Sequence, residues 1–277
     1  MTVTAEGDAL EPWLRRWALT RDGPAFETKF GSRLAPVLTA AGERAMLKLA
    51  SHPEEVAGGA LMAWWSGLGA ASVLAREGSA ILLERLEGPR SLADLARRGE
   101  DDEATRVLCD VAAGLHAPRS RTPPPTLVPL ETWFRALWPA AAAHGGVFVS
   151  AAAIARELLD DPRDPVVLHG DLHHDNVLDG GDRGWLAIDP KGLIGERAFE
   201  FANLFRNPDA ALALAPGRMR RQAGIVAEAA QVDRTRLLRW ILAYAGLGAA
   251  WSLQSGHDSD AQAGLEIARA AEAELAS

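Results

Sequence analysis

The chain has 277 residues, of which 48% are hydrophobic, so it is long enough to bury a sizeable core in one large or two modest domains. Its formal net charge of −8 argues against a broad electrostatic surface for nucleic acid and suits a cationic small molecule. A single cysteine, Cys109, excludes an intrachain disulfide. Because neither a secretory signal nor a membrane-spanning run is recognised, we expect a cytoplasmic protein without a membrane partner.

The first part of the chain is predicted to form an antiparallel sheet with two helices. Residues 10–19 favour a short amphipathic helix, in which Trp13 and Trp17 lie on one face. A second helix is predicted for residues 56–65. Strands are predicted in five segments separated by turns, at residues 25–30, 34–38, 45–49, 72–75 and 79–83.

Lys48 is the best candidate in this sheet for binding a phosphate. It lies between apolar residues in a predicted strand, and the chain has only 3 lysines against 26 arginines. A compact ammonium is suited to bridging phosphate oxygens, although an ordinary edge-strand lysine is the alternative. The Gly31-Ser32 turn could place backbone N–H groups over a nucleotide, or could be a simple hairpin turn.

The start of the second helix and the end of the last strand complete the candidate nucleotide site. Either Glu54 or Glu55 could pair with Lys48, or both could simply complement the helix dipole. The strand ending at Leu83, Glu84 and Arg85 offers backbone groups to an adenine. It runs into a Gly-Pro break, which predicts a boundary between a first lobe at residues 1–87 and a second at residues 88–277.

The second lobe is predicted to be mostly helical. After a proline-rich linker and around one central loop, its apolar periodicity is typical of helices. The predicted segments are residues 92–98, 101–116, 131–143, 151–159, 199–205, 218–230, 233–252 and 260–274.

The central loop carries the strongest functional pattern of the chain. His169, Asp171 and Asn176 fill the spacing H-x-D-x-x-x-x-N, and Asp189 follows thirteen residues later in Ile-Asp-Pro. Phosphoryl transfer needs a carboxylate that orients or deprotonates the attacking hydroxyl, and oxygen ligands for magnesium. Asp171 suits the first role, whereas Asn176 and Asp189 suit the second.

These residues resemble the aminoglycoside phosphotransferase superfamily, within the protein-kinase-like fold. The segments 169–176 (HGDLHHDN) and 185–192 (WLAIDPKG) are similar to the branch of streptomycin 6-kinases and hydroxyurea phosphotransferases. The resemblance implies an α+β, bilobal fold with a small antiparallel-sheet N-lobe and a larger helical C-lobe. It also implies that Asp171 is the catalytic base, that Lys48 binds phosphate, and that residues 83–85 form the hinge beside adenine.

The chain departs from that branch at two places. Gly58 and Gly59 stand where the branch usually has a glutamate, so Glu55 or Glu54 would have to pair with Lys48. The nucleotide loop is also poor in glycine. A zinc site at His173 and His174 is a weaker alternative use of the loop, because adjacent histidines do not easily face one metal.

Acidic residues after the loop are candidates for recognising a cationic acceptor. Glu196, Glu200 and Asp209 lie in or near the next helix, and solvated helix charges are the alternative interpretation. Aromatic residues of the last helices, Trp240 and Tyr244 among them, could line a sugar site or pack in the core.

We therefore expect a phosphotransferase that uses ATP and Mg²⁺, with GTP as an alternative nucleotide, and that modifies a hydroxyl of an aminoglycoside. A kinase for a sugar, an amino alcohol or a homoserine-like metabolite is a second hypothesis. A catalytically inert nucleotide-binding protein is a third, although nothing physical would require Asp171, Asn176 and Asp189 together in it. Either a monomer or a homodimer fits the sequence.

Overall fold

Six strands form an antiparallel sheet in the N-terminal part of the computed structural model, which describes residues 8–28 and 31–277. Their bounds are β1 (Thr20–Arg21), β2 (Phe26–Glu27), β3 (Arg33–Leu38), β4 (Arg44–Leu49), β5 (Val73–Glu77) and β6 (Ala80–Glu84). Their order is β1-β3-β4-β6-β5, with β2 also paired to β3. A strand lies in each of the five predicted segments, although residues 29 and 30 of the first fall outside the described residues. The short β1 was not predicted.

One face of this sheet packs against a short helix, and the other carries Lys48. Alternate side chains of β3 and β4 are buried against Leu14 of the short helix α1 (Glu11–Arg16). Because side chains alternate along a strand, Met46 and Lys48 of β4 project from the opposite face. The residues buried on the α1 side are Ala35, Val37, Ala45 and Leu47.

Helix α2 (Pro53–Trp65) joins β4 to β5 and contacts the central loop region through its backbone. A Cβ atom at Gly58 would lie 2.1 Å from the carbonyl oxygen of Pro190, far inside van der Waals contact. Only glycine fits at that position. The close approach explains why no glutamate stands there, and the apolar face of α2 enters the main core through Leu61 and Trp65.

The C-terminal part is helical, as predicted. Its helices are α3 (Leu92–Leu95), α4 (Asp101–His116), α5 (Leu130–Trp133), α6 (Leu137–His144), α7 (Val147–Asp160), α8 (Ala210–Ala213), α9 (Arg218–Ala229), α10 (Arg234–Gln254) and α11 (Asp258–Leu275). Residues Arg197–Arg206 form a 3₁₀ helix rather than an α-helix, and α8 was not predicted. Among the described helices, none combines the length and apolarity needed to cross a membrane.

Helix α10 forms the centre of this region. It packs against α7, α11 and the 3₁₀ helix. Phe134, Phe199, Trp240 and Tyr244 form a cluster of edge-to-face and tilted aromatic contacts, with ring centroids 5.3–5.8 Å apart. Trp240 and Tyr244 are therefore buried by packing, which agrees with the core interpretation and leaves neither ring at an open sugar site.

Two small sheets hold the central loop between the helices. Strand β8 (Pro165–Leu168) precedes the loop, and the hairpin of β9 (Val177–Asp179) and β10 (Trp185–Ala187) follows it. Beyond Asp189, β11 (Leu193–Glu196) returns antiparallel to β8 and parallel to β7 (Val128–Pro129). Each of these five strands is short, with two to four residues.

The contact at Gly58 leads to a stability prediction. We expect Gly58→Ala to lower the free energy of unfolding by about 1–3 kcal/mol, because the added methyl group forces α2 away from Pro190. Gly224→Ala is the matched control, since a Cβ at that position of α9 meets no atom within 4 Å. The control should gain about 0.5–1 kcal/mol from helix propensity. Urea unfolding measures both, and equal stability of the two variants would contradict the interpretation.

Candidate active site

His169 connects the catalytic loop to the segment that carries Asp189. Its Nδ1 accepts a hydrogen bond from the backbone N–H of Asp171 (3.2 Å), so its Nε2 donates to the carbonyl of Ile188 (2.8 Å). The ring is completely buried and stacks on Trp65. Burial lowers the pKa of His169, which keeps the ring neutral in this role. His169 therefore supports the loop.

Glu200 holds the same loop from the other side. Its buried carboxylate accepts hydrogen bonds from the backbone N–H groups of His169 (2.7 Å) and Gly170 (2.8 Å) and from Nε2 of His116 (3.0 Å). Burial opposes ionisation, but the hydrogen bond and charge of His116 outweigh it and hold the pKa of Glu200 below its usual range. The carboxylate is thus committed to the protein interior.

The predicted acceptor contacts need correction for this reason. Glu200 is unavailable to a ligand, and Glu196 is equally buried in a bidentate ion pair with Arg236, with both N–O distances 2.6 Å. Asp209 caps α8 by accepting from the N–H of Leu212 and pairs with Arg97, but it remains exposed. Of the three acidic candidates, only Asp209 retains access to solvent.

Asp171 lies in a defined polar environment. Nδ2 of Asn203 donates to Oδ1 of Asp171 (2.9 Å), and Asn207 donates to Oδ1 of Asn203 (3.2 Å), which fixes the orientation of the Asn203 amide. Nζ of Lys191 lies 3.6 Å from Oδ2 of Asp171. Oδ1 accepts from Asn203 and Oδ2 lies on the side of Lys191, so a further proton donor that approaches from that side meets Oδ2.

Asn203 and Lys191 were not identified from the sequence. Asn203 comes from the 3₁₀ helix, 32 residues beyond Asp171, and no spacing connects the two. Lys191 carried a signal that could have found it. It directly follows Ile-Asp-Pro and is one of only three lysines in the chain.

Asn176 and Asp189 fit the predicted magnesium site. Nδ2 of Asn176 donates to the carbonyl of Asp171 (2.9 Å), so its Oδ1 points away as a candidate oxygen ligand. The N–H of Ile188 donates to the carbonyl of Asn176 (2.9 Å), which brings the residue before Asp189 against Asn176. An amide oxygen and a carboxylate are the hard ligands that Mg²⁺ prefers.

The zinc alternative finds no support. The described residues contain no group of three or more His, Cys, Asp or Glu that could hold a metal ion. His174 is buried, which lowers its pKa to about 3, and its ring lies against the Asp101–Arg218 ion pair rather than beside His173.

Lys48 is buried at the base of the sheet, where it contacts Asp189 and lies 3.1 Å from Oε1 of Glu55. Glu55 is therefore its partner, whereas Glu54 is exposed. Burial opposes ionisation of Glu55, but hydrogen bonding from Ser32 and the charge of Lys48 hold its pKa below the usual range. The contact between Lys48 and Asp189 connects the sheet to the central loop region.

The turn at Gly31 and Ser32 fits the hairpin alternative, because the N–H groups of Gly31 and Ser32 donate to the carbonyl (2.9 Å) and the hydroxyl (3.1 Å) of Thr28. Gly31 adopts φ +86°, a left-handed conformation that favours glycine. The Ser32 hydroxyl, however, is buried and donates to Glu55. Its side chain therefore positions the partner of Lys48.

The predicted hinge residues lie at the end of β6. Leu83 pairs with Met46 of β4, while the side chains of Glu84 and Arg85 are engaged with Arg183 and Asp22. The backbone N–H groups of Glu84 and Arg85 are engaged as well, with the carbonyls of Ser72 (2.9 Å) and Arg44 (3.3 Å). An open cleft of about 480 Å³ lies alongside, lined by Asp22, Gly23, Pro24, Pro36, Arg44, Arg85 and Glu87.

Comparisons with known proteins identify the family to which the chain belongs. Residues 16–256 match the family described as aminoglycoside/hydroxyurea antibiotic resistance kinase. The chain is 49% identical to streptomycin 3''-kinase of Klebsiella pneumoniae, over 92% of this chain and 96% of that protein. It is 32% identical to streptomycin 6-kinase of Streptomyces griseus (92% and 85%) and 33% identical to hydroxyurea phosphotransferase of Kitasatospora aureofaciens (88% and 72%).

Solved structures share the fold. A thermostable mutant of an aminoglycoside phosphotransferase, in ternary complex with ADP and hygromycin B, superposes with a TM-score of 0.69. The alignment covers 96% of this chain and 98% of that one at 14% sequence identity. At this identity the similarity establishes the protein-kinase-like fold alone, as the sequence predicted.

The anchoring role of Glu200 can be tested by stability. Glu200→Gln turns one carboxylate oxygen into an NH₂ group facing a buried donor, so we expect a loss of about 3 kcal/mol in the free energy of unfolding near pH 7. The exposed Glu272→Gln in α11 is the control and should change stability by less than about 0.5 kcal/mol.

The pH dependence of that loss has a definite sign. Because the folded-state pKa of Glu200 is lowered, its contribution is fully present above the unfolded-state value of about 4.3 and disappears as the pH falls through the lower folded-state value. The difference between the wild-type protein and Glu200→Gln should therefore narrow in acid. A difference that stays constant down to acid unfolding would contradict an ionised Glu200.

Proposed function

Because the chain belongs to the aminoglycoside/hydroxyurea antibiotic resistance kinase family, we propose that it transfers the γ-phosphate of ATP to a hydroxyl of an aminoglycoside, with streptomycin as the first candidate. The observation that carries the proposal is the convergence of three predicted residues. Asn176 donates to the carbonyl of Asp171 and accepts from the residue before Asp189, so the base and both metal ligands belong to one hydrogen-bonded unit.

The relatives favour one hydroxyl over another. Identity is 49% to the streptomycin 3''-kinase but 32% to the streptomycin 6-kinases. We therefore infer the 3''-hydroxyl as the phosphorylated position. The net charge of −8 suits a cationic acceptor of this kind.

The chemistry divides between the acceptor side and the phosphate side of the site. On the acceptor side, Oδ2 of Asp171 aligns the attacking hydroxyl and receives its proton, while Asn203 fixes the carboxylate through Oδ1. On the phosphate side, Lys48 binds nucleotide phosphates and Glu55 fixes its position. Asn176 and Asp189 would hold Mg²⁺, which offsets the charge of the phosphates when bound.

The nucleotide base is expected beside the end of β6. The open cleft next to Arg85 has a volume of about 480 Å³, which supports a base and ribose at this place. The side chains of Glu84 and Arg85 are committed to Arg183 and Asp22, and their N–H groups to the carbonyls of Ser72 and Arg44. The base would therefore pack against residues 83–85 without using these donors. ATP is our proposed donor, and comparison of ATP with GTP tests it.

The function is tested by turnover with a panel of acceptors. Purified protein with ATP and Mg²⁺ should consume ATP in the presence of streptomycin and yield its monophosphorylated product, which mass spectrometry and NMR can assign to the 3''-hydroxyl. The panel includes streptomycin, hygromycin B, hydroxyurea and simple sugars and amino alcohols. Turnover of a metabolite but of no aminoglycoside would contradict the proposal.

Asp171→Asn should lower kcat by about 10²–10⁴-fold while leaving nucleotide affinity nearly unchanged, because the proton acceptor is lost and the phosphate side is intact. Asp175→Asn is the control, since Asp175 is exposed on the same loop and has no proposed role in the reaction. Steady-state kinetics and calorimetric titration with ADP measure the two effects. A variant at Asp171 with wild-type kcat would remove this residue from the mechanism.

Asn203 should matter for kcat rather than for nucleotide binding. Asn203→Asp keeps the size of the side chain but loses the NH₂ group that holds Asp171, as does Asn203→Leu. A hydrogen bond to a charged group corresponds to about a ten- to hundredfold loss in kcat, with the KM for ATP little changed. Equal kcat in both variants and the wild type would show that Asp171 needs no such support.

A further inference from the structure

Lys191 lies beside Asp171 in the candidate active site, and the proposed mechanism gives it no role. The chain uses arginine 26 times and lysine 3 times, yet both Lys48 and Lys191 lie at the site of Asp171 and Asp189. The backbone N–H of Lys191 donates to the carbonyl of His169 (2.7 Å), which fixes the start of this side chain against the catalytic loop. Its ammonium therefore has a defined place.

The position of that ammonium relates it to both halves of the reaction. Nζ of Lys191 lies 3.6 Å from Oδ2 of Asp171, the oxygen left available to the acceptor hydroxyl. Lys191 also lies two residues beyond Asp189, in the segment that the hydrogen bond from Nε2 of His169 to the carbonyl of Ile188 holds against the catalytic loop. Lys191 thus lies near the acceptor side and the phosphate side together.

In-line transfer passes between these two sides. The acceptor oxygen must lie beside Asp171, and the γ-phosphorus must lie between that oxygen and the metal-bound phosphates. A cation within 4 Å of Oδ2, on the segment of Asp189, is therefore placed to meet the oxygens of the moving phosphoryl group. Lys48 lies on strand β4, where its ion pair with Glu55 holds it.

We propose that Lys191 is a catalytic residue whose ammonium binds the transferred phosphoryl group during the reaction; the inference rests on the proposed function. The acceptor O–H bond breaks and its proton passes to Asp171, a new bond forms between the acceptor oxygen and the γ-phosphorus, and the bond from that phosphorus to the β–γ bridging oxygen breaks to release ADP. Lys191 offsets the negative charge on the non-bridging oxygens and is unchanged at the end.

The alternative is that Lys191 only orients the acceptor hydroxyl beside Asp171. Acceptor-independent hydrolysis of ATP separates the two roles, because water then replaces the sugar hydroxyl while the phosphoryl group is the same. A group that binds the phosphoryl oxygens must affect both reactions, whereas a group that orients the acceptor affects only the first.

The test compares K191M, K191Q and K191R with the wild-type enzyme. We expect K191M and K191Q to lower both the kcat with streptomycin and the rate of ATP hydrolysis without acceptor by about 10²–10³-fold, with ADP affinity within about twofold of wild type. K191R keeps the charge but not the compact shape, so it should recover part of both rates. R15M, which removes an exposed charge on α1, is the control and should match the wild type.

Four outcomes decide the matter, with thermal unfolding confirming that each variant is folded. Wild-type rates in K191M and K191Q would overturn the inference, as would a loss confined to the streptomycin reaction with ATP hydrolysis intact. A wild-type protein that neither phosphorylates streptomycin nor hydrolyses ATP would instead overturn the proposed function, and the inference with it. Parallel loss of both rates at unchanged ADP affinity supports the assignment.

Discussion

The buried carboxylate of Glu200 is the interaction on which the geometry of the site depends. It takes two backbone N–H groups of the catalytic loop and the ring of His116 at once, in an interior where an unpaired charge would be very costly. Because the loop immediately before Asp171 is fixed this way, main-chain geometry places the proposed base, and Asn203 then orients its carboxylate. The cost of burying Glu200 is offset only if all three donors are in place.

The two chemical halves of the site are joined by hydrogen bonds rather than by sequence proximity. His169 donates to Ile188, and Ile188 donates to Asn176, so the loop with Asp171 and the segment with Asp189 cannot move independently. Strands β8 and β11 pair on either side of this junction. This backbone bonding holds the proposed base and the two proposed metal ligands at a fixed separation, as positioned catalysis requires.

The sequence predicted what local spacing encodes. Strands, most helices and the set of Asp171, Asn176 and Asp189 follow from periodicity and from a motif on one short loop. What it missed depends on long-range contact. Asn203 donates to Asp171 from a separate helix. Glu200 was predicted to recognise the acceptor or to be a solvated helix charge, but the structure places it beneath the loop. Charge and helix position alone do not tell a buried anchor from a solvated residue, because burial is decided by tertiary packing.

Close packing of helix α2 on Pro190 decides which glutamate can pair with Lys48. The helix must approach Pro190 so closely that residue 58 has no room for a Cβ atom, and a glutamate cannot stand there. Residues three apart share one helix face, so Glu55 presents its carboxylate on the same side as Gly58 but one turn nearer the helix start. From that turn it reaches Lys48 and also accepts the hydroxyl of Ser32. Because the ion pair is moved by one turn, Lys48 stays in position while the backbone of α2 packs directly on the segment of Asp189. The departure from the family pattern is therefore a consequence of packing, and it leaves the proposed phosphate-binding lysine in place.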